Sequence, residues 1–280
     1  MKKLIIPIIA IVVLAACQSH QKESKRAESA KTKSVNQDDD SVKSKVNEHL
    51  TMATIYQQRS GEYRALCYQA FNLGKFMLDQ DLIDKSVDKP RIVILDIDET
   101  VLDNSSYEAR CILEGTSYPT YWDEWCNLAS AKAVPGVADF LKYAKANGVD
   151  IFYVTNRKAY LEDVTLKNLR AAGLPDVEPE NLLMRTTENS KELRRRQLAA
   201  TYHISLLFGD NLSDFSDIFD NKSNDDRIAE VEKKATQFGK RFIVLPNAMY
   251  GDWETALYGK GEKLSDSARF ILRRDALIGF

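Results

Sequence analysis

Ile92-Val93-Ile94-Leu95-Asp96-Ile97-Asp98-Glu99-Thr100 sets a run of branched aliphatic residues directly against a cluster of acids, with no turn residue between them. Four apolar residues in succession, unbroken by polar alternation, fit a strand buried on both faces. If the chain stays extended beyond Leu95, Asp96 and Asp98 face the same way, because strand side chains alternate. The pattern recurs downstream. Ile151-Phe152-Tyr153-Val154 runs into Thr155-Asn156-Arg157, and Ile204-Ser205-Leu206-Leu207-Phe208 runs into Gly209-Asp210-Asn211-Leu212-Ser213-Asp214. Phe242-Ile243-Val244-Leu245 is a fourth run and Leu182-Leu183-Met184 a weaker fifth. Helical periodicity over about 136–147, 159–172, 190–202 and 226–238 separates the later runs. Strands alternating with helices predict an α/β protein, a Rossmann-like parallel sheet with helices on both faces.

Two additions surround that sheet. Residues 46–82 carry apolar positions at helical spacing, with a break expected at Ser60-Gly61. Residues 104–134 form a long insertion after the first strand, rich in aromatics: Tyr107, Tyr118, Tyr121, Trp122 and Trp125. A connection of that length is usually functional, often a cap or lid, and no strand or helix pattern assigns its tryptophans to a core.

The chain opens with Met1-Lys2-Lys3, an apolar stretch from Leu4 to Leu14, and then Ala15-Ala16-Cys17. A short apolar segment with basic residues ahead and small residues behind reads as a secretory signal, not a spanning helix. Leu14-Ala15-Ala16-Cys17 resembles a bacterial lipobox. That implies a signal peptide at 1–16, a lipidated (palmitate-type) Cys17, and a protein anchored in the bacterial envelope at the outer membrane. Residues 17–45 are polar and lack aromatics, so a flexible tether is expected, with Asp38-Asp39-Asp40 as a solvated charge cluster. Residues 46–280 would then form the working domain. Cys67, Cys111 and Cys126 are expected as buried free thiols; export leaves a Cys111–Cys126 disulfide open.

With 39 Lys+Arg against 41 Asp+Glu and a net charge of −2, the chain lacks the basic footprint of a protein that binds nucleic acid polymers. At 44% hydrophobic and 29% charged residues it is neither disordered nor a multi-span membrane protein. Ligands of open α/β sheets bind beyond the carboxyl ends of the strands, where the acids here fall. Carboxylates converging there repel one another, and a hard divalent cation relieves the repulsion. All-oxygen donors suit Mg²⁺ better than Zn²⁺. Such a site can hold a phosphate through the metal and leave one carboxylate free to attack. His20, His49 and His203 have no partners at ligand spacing, which argues against a histidine-based phosphatase.

Asp96-Ile97-Asp98-Glu99-Thr100-Val101-Leu102-Asp103-Asn104-Ser105, with Gly209-Asp210-Asn211-Leu212-Ser213-Asp214-Phe215, resembles the haloacid dehalogenase superfamily. In particular it is similar to the class C ("DDDD") acid phosphatases, the bacterial lipoprotein 5′-nucleotidases. The resemblance runs from about residue 50 to the C-terminus. It implies a Mg²⁺-dependent phosphomonoesterase working through an aspartyl-phosphate. Asp96 would be the nucleophile and Asp98 the acid and base. Asp96 and Asp210 would ligate the metal through their carboxylates, Asp98 through its backbone carbonyl, and Asp214 directly or through water. Thr155 and Asn156 match the phosphate-binding second motif and Lys191 the third. Arg194, Arg195 and Arg196 are expected on a solvated helix face. Tyr118, Trp122 and Tyr250 would sandwich the base of a nucleoside monophosphate. A broad acid phosphatase without nucleotide preference and a non-catalytic ligand-capture lipoprotein are the competing expectations.

Overall fold

The computed structural model describes residues 47–259 and 264–280. The expected signal segment, the tether and Cys17 lie outside the described residues. Among those described, no helix is long and apolar enough to cross a membrane.

The N-terminal helical region is two helices, α1 (Thr51–Arg59) and α2 (Gly61–Ile83). They break where expected, because Ser60 is extended and its hydroxyl accepts the Tyr63 N–H at 3.0 Å, capping α2. The first apolar run is β1 (Arg91–Leu95). A short antiparallel ribbon, β2 (Leu102–Asp103) with β3 (Lys132–Ala133), closes an excursion that contains α3 (Ser105–Glu114) and α4 (Trp122–Leu128). Then come α5 (Val137–Ala146), β4 (Asp150–Lys158), α6 (Glu162–Ala171), β5 (Leu182–Arg185) and α7 (Glu192–Thr201). The chain continues with β6 (His203–Gly209), α8 (Asn224–Lys233), β7 (Phe242–Val244), α9 (Asp252–Tyr258) and α10 (Asp266–Asp275).

Five strands form one parallel sheet in the order β5-β4-β1-β6-β7. β1 is central and its side chains sort by parity. Val93 and Leu95 join one buried cluster with Phe71, Phe140 and Phe208, while Ile92 and Ile94 join a second with Phe152, Leu198 and Phe215. This two-sided burial is why the run lacks polar alternation. Helix α2 lies close against β6, since a Cβ at Gly74 would sit 2.5 Å from the Phe208 ring. The chain builds outward from β1 first through β4 and β5, then through β6 and β7. That reversal opens a crevice at the carboxyl ends of β1 and its neighbours.

One sequence expectation changes here. The insertion is not free of the core: Tyr107 is buried, and Trp122 and Trp125 are partly buried against the main cluster. Helix α4 packs its tryptophan side inward, a tertiary contact that local periodicity over so short a helix does not reveal. Cys67, Cys111 and Cys126 are free and buried, as expected, and the open alternative of a Cys111–Cys126 bridge is not formed.

Candidate active site

Asp96 follows β1 directly, and its N–H donates to Phe208 O at 3.0 Å, so the edge of β6 fixes its backbone. Asp210 follows the last residue of β6. The next turn folds back: Asn211 N–H donates to Asp214 Oδ2 at 3.0 Å, bringing Asp214 over Gly209. Only glycine fits at 209, because a Cβ there would lie 2.4 Å from Asp214 Cβ. Asp96, Asp210 and Asp214 each offer a carboxylate oxygen, and the three lie within 4.8 Å of one another.

Lys191, 5% exposed at the start of α7, completes the cluster. Its Nζ pairs with Asp96 and donates to Asp214 Oδ1 at 2.6 Å. Burial would lower this ammonium, but Asp214 and Asp96 hold it up and it stays charged. Burial pushes Asp96 well above the usual carboxylate range; Lys191 opposes this, while Asp214, Asp210 and Asp98 reinforce it. Burial and Asp214 likewise push Asp210 up to about 8. Thr100 Oγ1 donates to Asp210 Oδ1 at 3.0 Å and Asn247 Nδ2 to Oδ2 at 2.9 Å, so this carboxylate is fixed from two sides. Three carboxylates against one ammonium leave surplus negative charge in a buried place. A crowded, all-oxygen donor set with that surplus suits a hard divalent cation.

Asp98 has other company. The chain leaves the extended state after Asp96, and Ile97 O accepts the N–H groups of Val101 and Leu102 at 2.8 Å each. The Asp98 carboxylate lies outside the three-aspartate cluster. It is gripped by Arg157, whose Nη2 donates to Oδ1 at 2.8 Å and whose Nε reaches Oδ1 at 3.0 Å and Oδ2 at 3.3 Å. Asn104 Nδ2 adds a bond to Oδ1 at 2.8 Å. Beside them Glu99 is fully buried with φ of 60°. It accepts from Asn104 N–H at 2.7 Å and from the Tyr250 hydroxyl. Burial and then Asp98 raise the Glu99 carboxyl to about 8.

Thr155 is buried in β4, one strand across from β1, and its Oγ1 accepts Arg157 N–H at 3.1 Å. Because β4 runs on to Lys158, Thr155 is a strand residue and not a helix cap. Asn156 is exposed and turned aside, donating to Asn189 O at 2.9 Å and accepting from Arg194 Nη2 at 2.7 Å. The expected solvated face of α7 needs correction. Only Arg196 is largely exposed; Arg195 is 5% exposed and donates to Ser213 O at 3.0 Å and Asp214 O at 2.9 Å. Arg194 donates to Thr155 O at 2.6 Å. Basic side chains thus satisfy a carbonyl within β4 and two in the turn after β6, a demand that exists only once these segments are side by side.

Tyr118 and Trp122 line an open cleft of about 480 Å³ with Tyr121, Asp123, Lys158 and Tyr160. Their rings meet edge-on at 5.8 Å and 67°. Tyr250 is not among the residues lining that cleft. The cleft approaches the acids through Trp122, whose ring lies 5.5 Å from the Arg157 guanidinium carbon. Sequence reading gave no role to Arg157, Glu99, Asn104, Thr100 or Asn247. The available signal was position, since Arg157, Glu99, Asn104 and Thr100 lie within the strand-end segments already singled out and Asn247 lies two residues beyond the fourth apolar run.

A parallel sheet with paired aspartates at the ends of adjacent central strands defines a class, and comparison with known proteins agrees. The profile of the HAD superfamily, subfamily IIIB (acid phosphatase), matches residues 2–253, and the chain belongs to this family. The class C acid phosphatase from Bacillus anthracis is 45% identical, with a TM-score of 0.81 over 84% of this chain and 99% of that one. The same Bacillus protein with tungstate bound superposes with a TM-score of 0.82 at 45% identity, over 84% of this chain and 99% of that one. The protein is a phosphoric monoester hydrolase of the acid phosphatase type, its substrates are small phosphomonoesters, and its buried aspartate triad can bind a divalent metal.

Proposed function

We propose that the protein is a Mg²⁺-dependent phosphomonoesterase that works through an aspartyl-phosphate on Asp96, with nucleoside monophosphates among its substrates. The observation that carries this reading is the buried convergence of Asp96, Asp210 and Asp214 around Lys191. Asp96, Asp210 and Asp214 would hold the metal through their carboxylates and Asp98 through its backbone carbonyl, and the bound metal would supply charge neutralisation at the phosphate. A carboxylate oxygen of Asp96 attacks phosphorus, forming an O–P bond as the ester P–O bond breaks. Asp98 gives its proton to the departing oxygen, then takes one from the water that attacks the phosphorus and frees Asp96. Lys191 would offset charge on the phosphoryl group, and the Thr155 hydroxyl, buried within β4 beside β1, would donate to a phosphate oxygen. Asn156 would help only by releasing its present partners. Tungstate is a tetrahedral oxyanion like phosphate, so its binding by the Bacillus relative supports a phosphate site here.

The aromatic cleft supports nucleotide use. Tyr118 and Trp122 offer a stacking surface next to Arg157 and Asp98, and stacking accepts any base. Tyr250 would join a base sandwich through its ring, since its hydroxyl is committed to Glu99. By the same reading residues 1–16 direct export, Cys17 carries the lipid, and 17–45 tether the phosphatase domain of 46–280 to the outer membrane, with the insertion of about 104–134 as its cap.

Removing metal with EDTA should abolish phosphate release from a panel of phosphomonoesters, and Mg²⁺ should restore it. The metal should also raise the melting temperature of the wild type and not of Asp210→Asn, a readout independent of turnover. Hydrolysis by a preparation shown metal-free by elemental analysis would sink the metal-dependent reading.

A further inference from the structure

Helix α4 reaches the Asp98 carboxylate by a hydrogen-bond chain that none of the roles above uses. Trp125 Nε1–H donates to Asn104 Oδ1 at 2.8 Å, and Asn104 Nδ2 donates onward to Asp98 Oδ1 at 2.8 Å and to Glu99 Oε2 at 3.2 Å. Arg157 Nη2 also faces Asn104 Oδ1, at 3.5 Å. Asn104 is fully buried, with donors toward its oxygen and acceptors toward its nitrogen. Only one amide orientation satisfies all four neighbours. The three donors within 3.0 Å of Asp98, from Asn104 and twice from Arg157, converge on Oδ1. Oδ2 has only the longer 3.3 Å contact from Arg157 Nε. An oxygen that already accepts three N–H groups is a poor place for a proton, so the carboxyl proton belongs on Oδ2.

The geometry points to Trp125 and Asn104 as positioning residues for the acid step: they lock Asp98 Oδ1 and leave Oδ2 as the oxygen that presents its proton to the leaving group. This rests on the reading of Asp98 as the general acid. In that step the proton passes from Asp98 Oδ2 to the ester oxygen as the P–O bond breaks and its electron pair stays on that oxygen. Loss of the Trp125 N–H leaves Asn104 Oδ1 with only the 3.5 Å Arg157 contact, so the amide that holds Asp98 Oδ1 loses its anchor. Trp125 sits three residues from Trp122, so the helix side that holds the acid also borders the aromatic cleft.

The test uses the difference between leaving groups. An alkoxide needs a proton to leave, whereas nitrophenolate is a stable anion and leaves without one. For wild type and Trp125→Phe, kcat/KM is measured with glycerol phosphate and with p-nitrophenyl phosphate in one preparation. The ratio of the two constants does not depend on how much protein is folded. Trp125→Phe keeps the ring and removes only the N–H; Asn104→Ala repeats the measurement should that variant fail to fold. The ratio of glycerol to nitrophenyl phosphate should fall on the order of ten-fold, part of the 10²–10⁴ that a positioned acid supplies. A ratio equal to that of wild type overturns the proposal. Asp98→Asn separates the two layers. If it shifts the ratio strongly while Trp125→Phe and Asn104→Ala do not, the positioning role falls and the acid reading stands. If Asp98→Asn leaves the ratio unchanged, the acid reading falls and the positioning role falls with it.

Discussion

Asp96 and Asp98 leave the same strand two residues apart, yet one carboxylate faces the sheet-end cluster and the other faces the cap. On the cluster side Asp96 meets Asp210, Asp214 and Lys191, all carried on the rigid ends of β1 and β6 or the start of α7. On the cap side Asp98 meets Arg157 from β4 and Asn104, which is held in turn by Trp125 of α4. The cluster side is defined by charge, and on the proposed reading it would handle any phosphate. The side toward the insertion is defined by hydrogen-bond direction and aromatic surface, and on the proposed reading it would handle what the phosphate is attached to. On that reading a single strand end would separate the group common to all substrates from the group that differs among them.

The division breaks most readily at Asp96. On the proposed mechanism Asp96→Asn replaces the nucleophilic carboxylate, so kcat should fall by at least about 10³-fold for every phosphomonoester, with the fold intact by circular dichroism. Substantial residual turnover, or loss confined to one substrate, would show that the cluster side is not where the common chemistry occurs.

A smaller wedge can be driven into the same side at Gly209. The added methyl of Gly209→Ala would lie 2.4 Å from Asp214 Cβ and must displace that carboxylate from the cluster. Overpacking of this kind costs about 1–3 kcal/mol of stability. The measurable result is a lowered melting temperature together with weaker stabilisation by Mg²⁺, again without substrate preference. Wild-type melting and metal response in Gly209→Ala would remove Asp214 from the metal-binding set.

The mildest change sharpens the cap side. Trp122→Ala removes a stacking face worth about 1–3 kcal/mol per base, which should raise KM for nucleoside monophosphates while glycerol phosphate changes much less. Equal losses on both substrates, or none on either, would make Trp122 a packing residue and favour an unselective acid phosphatase.

Much of this was legible in the chain itself. The strand runs, their order between helices and the acids at their ends all follow from local rules, because a doubly buried strand has to be continuously apolar and its end has to be polar. Gly209-Asp210-Asn211-Leu212-Ser213-Asp214 even encodes its own turn, with glycine making room for an aspartate five residues later within the motif. What the sequence could not decide was partnership across distance. Nothing near Asn104 announces that Trp125 and Arg157 will fix its amide, and nothing near Arg195 announces buried carbonyls at Ser213 and Asp214. Three adjacent arginines look alike as a charge run, and burial separates them only when α7 settles against the ends of β4 and β6. Periodicity and motif spacing are properties of a segment, so the sequence determined the sheet and its acidic rim. Hydrogen-bond direction and desolvation belong to pairs of segments, so only the tertiary structure decided which acid faces the metal-binding cluster and which faces the cap.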